Sequence, residues 1–404
     1  MTIVLSTLKN RKVSPNPASA GCSTGGHTRI PCPPQVVKTP LPCTTGLDFL
    51  KVSLWLDWST RDFLSNLHDR KRAVQGTDDV EGPFKMVGGF SFNLQRTGAG
   101  KYNYVLKSGD ITLMFSNHKA DAPFPNCRIE IGSVSCWQPG WEYIFHRLCS
   151  WLRIYGANIK QEKVSEFHIT ADLLDVDFTK SGFDDRSRWI TRANKWKIEG
   201  EFDTSNYIAF GKGDFMLRVY DKTSEIKRNA AKSATFHKIW RDQINRTPEN
   251  VTRIEFQIRR PVFKELQIDT VATLRRKLDS VWQYCVSDWS RFCSEKVDRE
   301  NKNQQRCPTA FLWSMVRSLK FKKGRVNKLV RKKTLLTNVD SLKKQAAGCL
   351  LSICAALGQD SEDFLGHITT AFSIVDEQIR ENFKDYSGYV RNMDIKLNYA
   401  YAGV

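Results

Sequence analysis

No run of the ~18 or more consecutive apolar residues that a membrane span needs occurs in this 404-residue chain. The best candidate, AAGCLLSICAAL at 346–357, reads as a buried helix, so a protein without a membrane partner is expected. No signal peptide stands ahead of the eleven cysteines and no small-domain framework organises them, which excludes a disulfide scaffold and favours free thiols in a reducing cytoplasm. Short C-x2-C knuckles are missing as well. Cys22, His27, Cys32 and Cys43 could in principle ligate zinc, but their C-x4-H-x4-C-x10-C spacing argues against it. Acidic residues are absent from the first 47 positions, which hold seven of the chain's fourteen prolines. That composition buries no core, and the prolines oppose the amphipathic helix of a transit peptide; residues 1–47 read as a disordered basic arm. Internal repeats are lacking too.

What is present is positive charge. Against 43 acids stand 62 Lys and Arg, a net +19, an excess suited to a polyanion partner, nucleic acid first and anionic membrane second. It is concentrated in KFKKGRVNKLVRKK (320–333), where Lys320, Lys322, Lys323, Arg325, Lys328, Arg331, Lys332 and Lys333 occur with no opposing acid. A solvated helix face is the plain reading; contact with a DNA backbone accounts better for eight unopposed charges. Trp282, Trp289 and Trp313 could stack bases, but their helical spacing points to core packing.

Alternating apolar and polar residues predict strands in LDFLKVSLWLDW (47–58), GGFSFNLQ, KYNYVLKS, DITLMFSN and CRIEIGSV. A helix follows over 141–156, ending on Gly156, and then strands at 163–174, 215–222 and 251–260. The fold class expected for 48–261 is α+β on a largely antiparallel sheet. Beyond Pro261 a helical C-terminal domain (262–404) is expected, with Leu274, Leu278, Val281, Trp282, Cys285, Trp289, Phe292 and Cys293 on one helical face capped by Asp269.

Strand side chains alternate faces, so Glu166, His168, Thr170 and Asp172 share one face of their strand. A wet sheet face with an incidental histidine carries about half the weight on this strand alone. Arg253 and Glu255 repeat the two-residue step in VTRIE. If the two strands are neighbours, His168 and Glu255 form a ligand pair for Mg²⁺ or Mn²⁺. Asp172 is a weaker third ligand, since it lies about 13 Å from His168 along the strand. In FMLRVYDK, Arg218, Tyr220 and Lys222 would share a face, placing a cation on either side of a phenol that could attack a phosphodiester. Taken alone, that stretch favours the plainer reading of a half-buried tyrosine with two solvated neighbours.

VSEFHITAD (164–172), YIAFGKGDFMLRVYDKTSE (207–225) and TRIEFQIRR (252–260), in that order, resemble the replication initiation factor family, the rolling-circle initiators of certain plasmids and filamentous phages. The likeness covers roughly residues 50–300. It implies a palm-like antiparallel sheet related to the HUH nucleases and a divalent metal beside a tyrosine nucleophile. It also implies an endonuclease activity that nicks one strand of origin DNA, retains the 5′ phosphate and leaves a 3′ hydroxyl. Carried over, the nucleophile is Tyr220. The implied partners are origin DNA, both supercoiled duplex and single-stranded, a host helicase and polymerase, and a second copy of the chain. This sequence departs from the family at Glu166, where Arg is usual, and at His168, where Asp is usual. A non-catalytic DNA-binding replication or repressor protein on the same sheet is the rival reading.

Overall fold

The computed structural model describes residues 42–76, 84–85, 90–201, 204–301, 303–321, 326–329, 339–357, 363–383, 385, 387–388 and 390–391. Residues 1–41, most of the arm expected at 1–47, lie outside the described residues, and the first strand opens at Cys43, inside the expected arm.

In chain order, the first half comprises β1 (Cys43–Trp58), α1 (Asp62–Gly76), β2 (Phe84–Lys85), β3 (Ser91–Leu94), β4 (Tyr104–Ser108), β5 (Ile111–Phe115), β6 (Cys127–Ile131), α2 (Ser133–Ser135), α3 (Trp141–Ile154) and β7 (Ala157–Leu174). The second half comprises β8 (Trp189–Thr191), β9 (Trp196–Glu201), β10 (Thr204–Gly211), β11 (Phe215–Asp221), α4 (Lys222–Ile226), α5 (Ala230–Ile244), β12 (Val251–Arg259), α6 (Arg260–Glu265), α7 (Val271–Gln283), β13 (Ser290–Phe292), α8 (Phe311–Ser318), α9 (Val339–Ala356) and α10 (Phe364–Asn382). Eleven strands form one antiparallel sheet in the order β2-β3-β4-β5-β6-β1-β7-β12-β11-β10-β9. The three strands that carry the polar pattern are therefore neighbours, in the order β7-β12-β11.

One face of the sheet is apolar. Phe167, Ile169 and Ala171 of β7, Ile254, Phe256 and Ile258 of β12, and Leu217 and Val219 of β11 join a single core with Phe63 of α1, Trp151 of α3, Phe263 of α6, Trp282 of α7 and Trp313 of α8. Helices α6 to α8 thus complete the layer over the sheet. The helical region expected from 262 begins inside this core, and its first half is not separable from the sheet. Trp282, Trp289 and Trp313 are buried in that core, away from any stacking role. α7 is shorter than its apolar pattern suggests. A π-turn over Tyr284–Trp289 ends it and the chain enters β13, which pairs with β8. Its cap is Thr270, whose side chain accepts from the Thr273 amide, while Asp269 pairs with Arg260. α9 forms where AAGCLLSICAAL was expected to be buried, but Leu351 is 56% exposed, so the helix is right and the burial is not.

The opposite face is polar. Part of it is roofed by α4 and α5, where Phe236 and Trp240 pack with Leu174, Ile226 and Val251 in a second, smaller cluster. The rest stays open.

Candidate active site

Strand register assembles this face. Glu255 lies opposite Thr170 on one side and Arg218 on the other; Gln257 lies opposite His168, and Arg259 opposite Glu166. On the far side of β7, Lys51 pairs with Glu166 and Phe49 with His168. Cross-strand partners share a face, so one row of side chains from four strands converges.

Glu255 is its hub. Its Oε2 accepts the Tyr220 hydroxyl at 2.8 Å, while Oε1 lies 3.1 Å from Arg218 Nη2 and 3.1 Å from His168 Nδ1. The other ring nitrogen of His168 lies 3.2 Å from Glu166 Oε1. Glu166 also meets Lys51 Nζ at 3.2 Å, Gln257 Nε2 at 2.7 Å and Arg259 Nε at 3.2 Å. Burial opposes the charge on both carboxylates, but the His168 contacts and neighbouring cations outweigh it. Glu166 is lowered to about 2 and Glu255 is held well below the usual carboxylate range. Burial likewise opposes charge on His168, and its two carboxylate partners raise it nonetheless.

Tyr220 differs from the sequence expectation. Its phenol is pushed well above the ordinary value, by burial first and by the Glu255 charge second. The two cations meant to stabilise a phenolate are engaged elsewhere. Arg218 donates to Glu255 and, at 2.6 Å, to Gln257 Oε1. Lys222 is not a strand residue: β11 ends at Asp221, whose side chain accepts from the Ser224 amide and caps α4. Lys222 opens that helix fully buried, 2.5 Å from Glu225, with Nζ 5.8 Å from the Tyr220 ring centre. Burial and Arg253 lower its pKa. One donor is left over: Arg218 Nε is buried and has no hydrogen-bond partner among the described residues.

Asp172 is not brought together with His168. It is fully buried, both its oxygens take the Arg253 guanidinium at 2.6 and 2.8 Å, and Trp240 Nε1 donates to it at 2.9 Å. Arg253 reaches on to Asp48, the extra residue of a bulge in β1 between Leu47 and Phe49, which also accepts from Ser133 Oγ at 2.6 Å and Trp137 Nε1 at 3.2 Å. Gly46 makes room for this arrangement, since a Cβ there would lie 2.9 Å from the Trp137 ring.

His168 and Glu255, the pair expected to hold a divalent ion, are in direct contact with each other. Neighbouring ligands on an ion with ~2.1 Å bonds stand about 3 Å apart, and the Nδ1–Oε1 separation is 3.1 Å. His168 must release its Nδ1 proton to bind. Among the described residues no group of three or more His, Cys, Asp or Glu is arranged to hold a metal. Cys22, His27 and Cys32 lie outside the described residues; the Cys43 thiol is pushed up to about 11 by burial and by Asp172.

From the network, Tyr220 and Arg218 reach a cleft of about 730 Å³ that Tyr207, Glu199 and Arg228 also line. Tyr207 is the direct cross-strand partner of Tyr220, with ring centres 6.3 Å apart. Sequence reasoning missed the strands β9 and β10 that form this wall. The alternation in NYIAFG followed by the glycines of GKGD was the available signal. Lys51 and Gln257 were missed because no local pattern marks them.

Of the predicted DNA-contacting cations, only Lys320 and Lys328 fall within the described residues, and both are exposed. Their flanks are not helical. The Phe321 amide donates to Asp279 and the Asn327 amide to Ser280, which docks this segment on α7. Lys322, Lys323, Arg325, Arg331, Lys332 and Lys333 lie outside the described residues. Among the described residues no helix is long and apolar enough to cross a membrane.

No protein-family model and no curated protein matches this chain. Among solved structures, the rolling circle replication initiator protein from Geobacillus stearothermophilus aligns with 70% of this chain and 100% of its own, at 15% identity and a TM-score of 0.39.

Proposed function

We propose that this protein is a rolling-circle replication initiator, a nickase and strand transferase that uses Tyr220 as nucleophile on origin DNA. The observation that carries this reading is the hydrogen bond from the hydroxyl of Tyr220, on the wall of a cleft, to the buried Glu255, which His168 and Arg218 also contact. Motif residues as far apart as Glu166 and Arg259, 93 positions in sequence, contribute to that one row of side chains.

In the proposed step, Tyr220 Oη bonds to the phosphorus while the bond from phosphorus to the 3′ oxygen breaks. The phenolic proton passes to Glu255, and the 3′ oxygen departs and takes up a proton as a hydroxyl that a polymerase can extend. Glu255 aims the phenol. Arg218, whose guanidinium lines the cleft, lends positive charge to a docked phosphate, and Lys222 lends positive charge beneath the ring. A divalent ion held by His168 and Glu255 would polarise the scissile phosphate. Re-joining is the reverse attack by a 3′ hydroxyl on the phosphotyrosine.

The test is a covalent adduct on origin DNA under denaturing conditions, with the modified peptide mapped. Tyr220→Phe is expected to keep DNA binding and lose the adduct, whereas Tyr207→Phe keeps the first adduct. An adduct that persists in Tyr220→Phe sinks the assignment. The raised pKa of the buried phenol favours a second reading, a non-catalytic DNA-binding protein on the same sheet. DNA binding without any adduct in the wild type, at any divalent ion concentration, would decide for it.

A further inference from the structure

Away from the tyrosine cleft, at the other end of β10 and β11, lies a concavity of about 450 Å³ between the segment joining β8 to β9 and the Gly211–Asp214 turn. Arg192, Lys195 and Lys212 line it, all exposed, and none forms an ion pair among the described residues. Asp214 is the single acid in the lining. The turn is built tightly. Gly211 and Gly213 have φ of +91° and +82°, a Cβ on Gly211 would lie 2.3 Å from the Phe215 carbonyl oxygen, and the Gly211 amide donates to the Lys195 carbonyl at 2.8 Å. Beneath it Phe215 and Trp289 pack with ring centres 4.4 Å apart, so the cations stand on a rigid floor. The field is reinforced nearby. Arg186 and Arg299 both donate to the Trp189 carbonyl, at 3.3 and 2.9 Å, and neither meets a carboxylate among the described residues.

Three unpaired cations converging on a concave surface repel one another unless a polyanion occupies it, and a concavity of one sign focuses the field on such a ligand. We propose that this concavity is a phosphate subsite for the backbone of the DNA strand, a reading that rests on the proposed function. Phe215 and Tyr220 stand near opposite ends of β11 and, five residues apart, point to opposite faces of the sheet. The subsite therefore holds backbone that has passed beyond the tyrosine cleft and rounded the Gly211–Asp214 turn at the end of the sheet.

The experiment measures affinity of the full chain for a random 30-base-pair duplex over a range of NaCl concentrations. Arg192→Gln/Lys195→Gln/Lys212→Gln is compared with Lys180→Gln/Lys238→Gln/Lys344→Gln, which removes the same charge from exposed positions elsewhere. Each lost phosphate contact lowers the slope of log affinity against log salt by ~0.9. The first variant is expected to flatten it by about two to three and the control by less than one. If the triple variant does not fold, Lys212→Gln alone is expected to flatten it by about one. Equal slopes in variant and control, or an unchanged slope in both the triple and the single variant, would overturn the subsite. Formation of the Tyr220 adduct on a short single strand that ends before the subsite reads the proposed function separately.

Discussion

At the scale of single residues, Glu255 receives three donors with two oxygens and so couples Tyr220 to the rest of the network. Glu255→Gln keeps the shape but removes the charge. It is expected to leave DNA affinity within about twofold and reduce adduct formation by at least the ~10²-fold typical of a lost general base. Wild-type rates in Glu255→Gln would remove this residue from the chemistry. Arg253 is structural in a stricter sense, a buried guanidinium between Asp172 and Asp48. Arg253→Met takes the cationic partner from the buried Asp172 and the half-buried Asp48 and is expected to cost about 3–5 kcal/mol in urea unfolding. Asp48 links that pair to pH. Burial raises its pKa, but Arg253 and Lys222 outweigh burial and the net shift is downward. A carboxylate depressed in the folded state adds stability that is present above its unfolded pKa of ~3.9 and is lost as pH falls through the folded value. Asp48→Asn is therefore expected to be less stable than wild type at pH 7 and to lose less stability between pH 4 and pH 2. Parallel stability curves for the two proteins over that range would contradict this.

At the scale of elements, the site depends on where β11 stops. The side chain of Asp221 caps α4, turning Lys222 away from the strand and into the space beside Tyr220 and Phe236. Asp221→Ala is expected to lower stability by about 1 kcal/mol and to lower adduct yield in greater proportion than DNA affinity. Denaturant unfolding and the adduct assay measure the two effects. The alternation of VSEFHITAD and VTRIEFQIRR made the polar faces of β7 and β12 readable. The meeting of His168 with Glu255 was anticipated, but the partners of the other residues were not readable, because register is set by the pairing of whole strands and by the bulge at Asp48. Asp172 shows the consequence. It belongs to the same face as His168, yet the strand opposite supplies an arginine at its level and α5 closes over it with Trp240.

At the scale of the whole molecule, the net charge of +19 makes weak, salt-sensitive binding to any DNA the expectation. If the segment at 320–333 contacts the backbone, Arg331→Gln/Lys332→Gln/Lys333→Gln is expected to flatten the salt slope by about two to three, with origin and random duplex weakened alike. Nicking of a pre-opened single-stranded origin should suffer less. An unchanged slope would assign those cations to solvent.

Sequence alone determined the α+β class, most strands of the sheet, the polar faces of β7 and β12 and the net positive charge, because these follow from local periodicity and composition. Tertiary structure decided that α6 to α8 belong to the sheet's own core and that Asp172 serves Arg253. It also decided that Lys222 lies in a helix and that Arg218 is spent on Glu255 and Gln257. Each of those outcomes depends on a partner 30 or more residues away, or on where a strand ends, and no local pattern encodes the distance between two side chains on different strands.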